Sequence, residues 1–293
     1  MTRVLPLETW RARRAAHEER VDAWLGPVRE RAEQGTAHPV EDFLFTYYSH
    51  RPGRLRRWSP GDGVVLQDGP DDPPFVPVDG GSIVPPPTDR VLRVARQVVH
   101  LLDATASRPA SFGCFGLHEW AMVHRQGQDD VRHAAWPLRL GPEATSAVVE
   151  EQPVRCTHFD AFRFFTPTAR PLNLLQPTRE TQADLEQPGC LHAAMDLYKW
   201  AYRLSPHVPS ELVADAFELA RRVRLLDMRA SPYDLSALGH APVRVETAEG
   251  RAEYAAAQRT FAAESGPLRA RVADAARALA RSGRAPAHAV EPV

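Results

Sequence analysis

Between residues 59 and 88 the chain cannot run as regular helix. Pro70-Asp71-Asp72-Pro73-Pro74 and Pro85-Pro86-Pro87 remove backbone N–H donors and fix φ, and glycines are scattered among them. This stretch reads as a long loop with at most a short strand at Val64-Val65-Leu66. On either side the spacing is helical. From Glu8 to Gln34, Trp10, Val21, Trp24, Leu25 and Val28 form an intermittent apolar face, which predicts one or two amphipathic helices. Pro39 to Tyr48 carries Phe43, Leu44, Phe45, Tyr47 and Tyr48, a segment expected to be buried. Asp89 to Leu102 repeats Leu92, Ala95, Val99 and Leu102 on one side behind a Thr88 cap. Residues 252–281 read as two outer helices broken at Gly266-Pro267. The expected fold is mainly α: one helical domain over 1–283 with long Pro/Gly-rich loops and at most a small β element. An active-site core is expected at 108–240, C-terminal helices at 249–282 and a disordered tail at 284–293.

At 293 residues the chain is long enough to bury a core with a pocket inside it. No apolar run approaches the roughly 18 residues that span a bilayer. The amino terminus lacks the apolar stretch of a secretory signal, and three cysteines make no disulfide framework, so a cytoplasmic protein is expected. A net charge of −1 neither favours nor excludes a nucleic-acid partner. Arginine has displaced lysine almost completely: Lys199 is the only lysine.

Three segments each join a cysteine to a histidine with carboxylates close by: Cys114 with His118 and Glu119, Cys156 with His158 and Asp160, and Cys190 with His192 and Asp196. Imidazole, thiolate and carboxylate are the usual ligands of zinc and iron, and such sites draw ligands from several segments. His118, His158 and His192 are the candidate ligands. No CxxC or HExxH spacing is present, and free cysteine is often simply buried. After Pro188-Gly189 a helix is expected, on which His192, Asp196, Lys199 and Arg203 share a stripe flanked by Trp200. The stripe is either a solvated face or a set of groups for proton transfer and anion binding. Around His158, Asp160 and Arg163 stand Phe159, Phe162, Phe164 and Phe165, as core packing or as the wall of a pocket. Periodicity leaves helix and strand open there, and helix is the expectation. Gly113 and Gly116 precede Leu117-His118-Glu119-Trp120 as a loop entering a helix. Asp227, after two leucines, is expected to be a buried paired acid with Arg229 as the nearest partner in sequence. Arg51, Arg54, Arg56 and Arg57, beside Tyr47, Tyr48 and Trp58, are either surface arginines or a grip for phosphate and bases.

The segments Cys114-Phe-Gly-Leu-His-Glu-Trp, Thr157-His-Phe-Asp-Ala-Phe-Arg-Phe-Phe, Leu191-His192 with Asp196-Leu-Tyr-Lys-Trp-Ala-Tyr, and Leu226-Asp-Met-Arg-Ala-Ser-Pro-Tyr-Asp-Leu resemble an actinobacterial family commonly labelled 3-methyladenine DNA glycosylase. The resemblance runs nearly the whole chain. It implies a DNA-repair hydrolase that cleaves the glycosidic bond of an alkylated purine and needs no cofactor. Such an enzyme holds a flipped base against aromatic faces, places an acid near the sugar and grips phosphates with basic residues. Trp120, Phe159, Phe162 and Trp200 with Arg163 would line the base site, Asp160, Asp196 or Asp227 with Glu119 and Lys199 would do the chemistry, and Arg54 and Arg57 would hold the DNA. The rival expectation is a metal-dependent enzyme, zinc or non-haem iron, acting on a small molecule through the His/Asp/Glu/Cys cluster.

Overall fold

A computed structural model describes residues 3–282, so the expected tail at 284–293 lies outside the described residues. The chain opens with a short strand, β1 (Arg3–Leu5), and a long helix, α1 (Leu7–Glu33). Trp10, His17, Val21 and Leu25 recur at helical spacing and form the buried face of α1. Two single-turn helices follow, α2 (Phe43–Tyr47) and α3 (Pro52–Arg56). Leu44 and Phe45 are buried, as the aromatic density of that segment predicts.

The stretch 59–88 holds more order than a long loop. It contains β2 (Val64–Gln67), β3 (Val76–Val78) and β4 (Gly81–Ile83), which with β1 make a four-stranded sheet in the order β1-β2-β4-β3. β1 runs parallel to β2, and the other pairs are antiparallel. Pro77 is tolerated because β3 is an edge strand, where one face of the backbone needs no ladder partner. Leu5, Trp10, Trp58, Leu66, Phe75 and Val84 form a small core beneath the sheet, and the Trp10 indole donates to the Gln67 carbonyl at 2.9 Å.

The main core is helical. α4 (Asp89–Ala106) starts at Thr88, whose hydroxyl accepts from the Val91 N–H as expected for a cap. α5 (Leu117–Ala121), α6 (Gly141–Glu151), α7 (Phe159–Phe162) and α8 (Gln182–Leu185) are short and joined by turns. The segment around His158 is therefore neither a full helix nor a strand: α7 is one turn, and Phe162 and Phe165 pack into the core at its end. α9 (Leu191–Leu204) and α10 (Ser210–Arg229) pack along each other, and α11 (Ala248–Ser282) closes over α9 and α4. The expected break at Gly266-Pro267 does not occur. Tyr254, Phe261, Leu268, Val272, Ala276 and Leu279 lie on one buried face running through the proline, and burial of both halves offsets the hydrogen bond Pro267 cannot make. No helix among the described residues is long and apolar enough to cross a membrane.

Candidate metal centre

α9 is the helix on which the site is built. All its residues are buried except Trp200, half-buried, and Arg203. The polar stripe therefore divides: Arg203 is exposed, while His192, Asp196 and Lys199 are 5%, 1% and 7% exposed, so they must be satisfied by protein groups. α5, the residue preceding α7, the loop after α8, and the last turn of α10 bring those groups to α9.

At the amino-terminal end of α9, His192 meets His118 from α5 and Asp227 from α10. One ligand atom of each lies within 4.8 Å of the others, and all three residues are buried. His118 Nε2 is 3.1 Å from Asp227 Oδ2, and the two imidazole centroids are 4.5 Å apart, edge to face. Cys114 Sγ stands 3.6 Å from His118 Nδ1 and fixes the ring from behind. The Tyr254 hydroxyl donates to Asp227 Oδ1 at 3.4 Å. Burial disfavours charge on His118, but Asp227 outweighs it and holds its pKa well above the ordinary value. His192 goes the other way: burial, then the neighbouring His118, push its pKa well down, so its ring is neutral with a lone pair free for coordination. Asp227 is the buried acid expected from sequence, with a different partner. Arg229 turns to the Ala241 carbonyl at 2.8 Å and to Glu253, whereas Arg224, one turn back on the inner face, lies 3.8 Å from Asp227 Oδ2.

One turn further along α9, Asp196 meets His158 and Glu186, again with ligand atoms within 4.8 Å of one another and every residue buried. His158 Nε2 is 3.1 Å from Glu186 Oε1 and 3.4 Å from Asp196 Oδ2. Burial opposes a charge on His158, but the two carboxylates prevail and push its pKa up to about 10. Lys199 Nζ donates to Asp196 Oδ2 and Asp160 Oδ2, both at 2.6 Å, and sits 4.6 Å from the Trp200 ring centroid. The Tyr48 hydroxyl donates to Asp196 Oδ1 at 2.6 Å. Burial alone would raise the Asp196 pKa; Lys199 and His158 reverse this and hold it far below the carboxylate range.

A narrow cavity opens onto His192, walled by Phe43, Tyr47, Phe164 and Tyr233, with Glu119, Asp160 and Arg224 as polar groups within it. Arg224 is 1% exposed, donates to Glu119 Oε1 at 2.7 Å and has its guanidinium carbon 3.6 Å from the Phe43 ring centroid. A second cavity also touches His118 and His192, and all three cysteines line it. None of them belongs to either ligand group, which departs from the expected His/Asp/Glu/Cys cluster; burial pushes the Cys156 and Cys190 thiols up.

His118, His158, His192, Glu119, Asp160, Asp196, Asp227 and Lys199 thus come together, as the sequence suggests. The expected base-binding residues do not line the cavity at His192. Trp120 is fully buried and donates to the Ala230 carbonyl at 2.8 Å. Phe162 packs on Phe165, Phe159 lies under Arg179, and Trp200 stacks on Lys199 and Arg203. Arg163 is exposed, pairing with Asp160 at 3.1 Å. Arg54 reaches the Ser205 carbonyl and the Tyr202 ring, Arg56 pairs with Asp22, and exposed Arg57 lines a separate groove beside Trp58 and Phe75. Sequence reading missed Glu186, Arg224 and Tyr254. Arg224 carried a signal, lying three residues before Asp227 on the same helix; Glu186, just ahead of the breaker Pro188-Gly189, carried none. Comparison with protein-family models, with curated proteins and with solved structures finds no match.

Proposed function

We propose that this protein is a metal-dependent enzyme acting on a small molecule, with zinc or non-haem iron held by His118, His192 and Asp227. The observation that carries this reading is the ligand set itself: two imidazoles and one carboxylate, buried, converging within 4.8 Å where a cavity meets His192. Two histidines and a carboxylate are used by both catalytic zinc and non-haem iron, and they leave coordination positions open for water or substrate. Asp227 favours a proton on His118, and Glu186 and Asp196 favour one on His158, so a divalent ion would take the place of those protons among the same buried acids.

A bound ion would polarise a substrate oxygen or acidify a bound water. The chain's own residues do the rest. Cys114 and Tyr254 orient His118 and Asp227 from behind, so the ligands are held before the ion arrives. Glu119 faces the cavity and is the carboxylate placed to accept a proton from a substrate beside His192, with Arg224 fixing its direction. Phe43, Tyr47, Phe164 and Tyr233 exclude water around that point.

The base-excision activity implied by the family resemblance is separated from this reading by one experiment. Metal content of the purified protein is measured, and the protein is then incubated with alkylated duplex DNA with and without chelator. Stoichiometric zinc or iron, lost in His118→Ala and His192→Ala, with no released base, is the expected result. Release of alkylated base that persists in chelator would overturn the proposal.

A further inference from the structure

We infer that a second metal ion binds beside the first, held by His158, Glu186 and Asp196, so that the two groups form a two-ion centre. The inference rests on the reading of His118, His192 and Asp227 as a metal centre and extends it to a pair. Its independent support is His158, which is 0% exposed and has no hydrogen-bond partner at either ring nitrogen. Glu186 Oε1 at 3.1 Å and Asp196 Oδ2 at 3.4 Å are close enough to Nε2 to accept, so the failure is one of direction: both oxygens lie off the line of an N–H.

A buried ion pair, in which both carboxylates favour a proton on His158, accounts for the closeness of the three groups but not for their misaligned directions. A protonated imidazole would aim an N–H at one of the oxygens and find an acceptor for the other nitrogen, because an unmet buried donor costs about 1–3 kcal/mol. A neutral imidazole would set a lone pair against two carboxylate oxygens. A cation among the three atoms removes both difficulties, because each then points an electron pair at it. Lys199 meets only one of the three atoms: its ammonium donates to Asp196 Oδ2 as well as to Asp160 Oδ2, and makes no bond to His158 or Glu186. Asp196 is further steadied by Tyr48 and Glu186 by Gln182, so both carboxylates are held in place by groups outside the ligand set.

The two groups are adjacent. The His192 ring centroid lies 4.5 Å from that of His118 and 5.3 Å from that of His158, so His192 neighbours both groups. Paired ions in enzymes sit roughly 3.5–4 Å apart and clamp a substrate between them. The His158 group is the more enclosed, while the other reaches a cavity through His192. The enclosed ion would therefore hold charge and geometry, and the other would meet substrate.

The test uses the full chain, stripped of metal and reloaded with Mn2+, compared with Glu186→Gln, His158→Ala and Asp227→Asn. Bound metal is counted, the electron paramagnetic resonance spectrum recorded and folding checked by circular dichroism. The isosteric Glu186→Gln keeps the test valid if His158→Ala does not fold. The expected result is about two ions per wild-type chain with mutually broadened spectra, falling to about one with an isolated-ion spectrum in each folded variant. One ion in wild type, kept in Glu186→Gln and lost in Asp227→Asn, overturns the second site and leaves the first reading intact. One ion lost in Glu186→Gln but kept in Asp227→Asn overturns the pair and the first reading together. No bound ion in wild type overturns both.

Discussion

Arg224 is the buried guanidinium on which the acids near the cavity depend. It pairs with Glu119 and lies within 3.8 Å of Asp227, at 1% exposure. Breaking a buried pair leaves the surviving charge unsolvated, so Arg224→Met should destabilise the fold by about 3–5 kcal/mol. Adding Glu119→Gln should restore part of that loss, because the orphaned charge is removed with its partner. Denaturant midpoints of the four proteins of this cycle measure the coupling, and strictly additive losses would show that Glu119 and Arg224 do not interact. Lys199 makes a different demand. Its ammonium fits between two carboxylate oxygens at 2.6 Å, with Trp200 and Tyr48 beside it. A planar guanidinium cannot occupy that space, so Lys199→Arg should cost about 1–3 kcal/mol through overpacking and lower metal content at Asp196. Unchanged melting and metal content in Lys199→Arg would show that only the positive charge matters there.

Among the elements, α11 and α5 make opposite use of backbone rules. Pro267 sits inside continuous α11, where an interior proline is about 3 kcal/mol less favourable than alanine. Pro267→Ala should therefore raise stability by up to that amount and the melting temperature with it, and a fall would mean the proline fits a bend the helix needs. Gly116 precedes α5 with φ +72, and a Cβ there would come within 3.1 Å of the Tyr254 ring. Gly116→Ala should cost about 1–2 kcal/mol for the left-handed backbone alone and disturb His118 two residues on. The same elements show what was legible in the sequence. α4 with its Thr88 cap could be read because its apolar spacing and its cap agree. The stripe on α9 could be read as a stripe, but not as buried, since nothing local says that α10 and α11 cover it. The continuity of α11 is not legible in the sequence, because Gly266-Pro267 is a local breaker and the tertiary packing that overrides it is not local. β2 is legible at Val64-Val65-Leu66, whereas β3 and β4 are three residues long, too short for alternation to show. The histidines and acids of the site were visible as unusual residues in apolar company. Their grouping into two buried clusters was not visible, since it depends on where Glu186 and His158 fall in loops.

For the whole molecule, buried histidines set the response to acid. Burial, reinforced by Arg203, pushes the His50 pKa down to about 3, and burial with Arg224 takes His133 down to about 4. Both titrate near 6.5 in the unfolded chain. Between those values the unfolded chain binds more protons than the native one at these two groups, so their contribution to stability is complete above about pH 6.5 and falls as pH drops, by up to about 1.4 kcal/mol per pH unit for each group. His50 stacks on Tyr202 with centroids 3.6 Å apart and has no partner at Nδ1, so phenylalanine can take its place. His50→Phe should melt with a shallower pH dependence between pH 6.5 and 4; an unchanged slope would show that His50 does not drive the acid response. The burial of Lys199 has one more consequence, in covalent labelling. Apart from the α-amino group, the chain's only primary amine is closed off by two carboxylates and 7% exposed, with its pKa raised by Asp196 and Asp160 against the effect of burial. An acylating reagent can reach it only when α9 parts from its neighbours. The fraction of chains acylated at Lys199, told apart from α-amino labelling by the mass of the peptide that carries it, therefore measures what share of molecules has opened there.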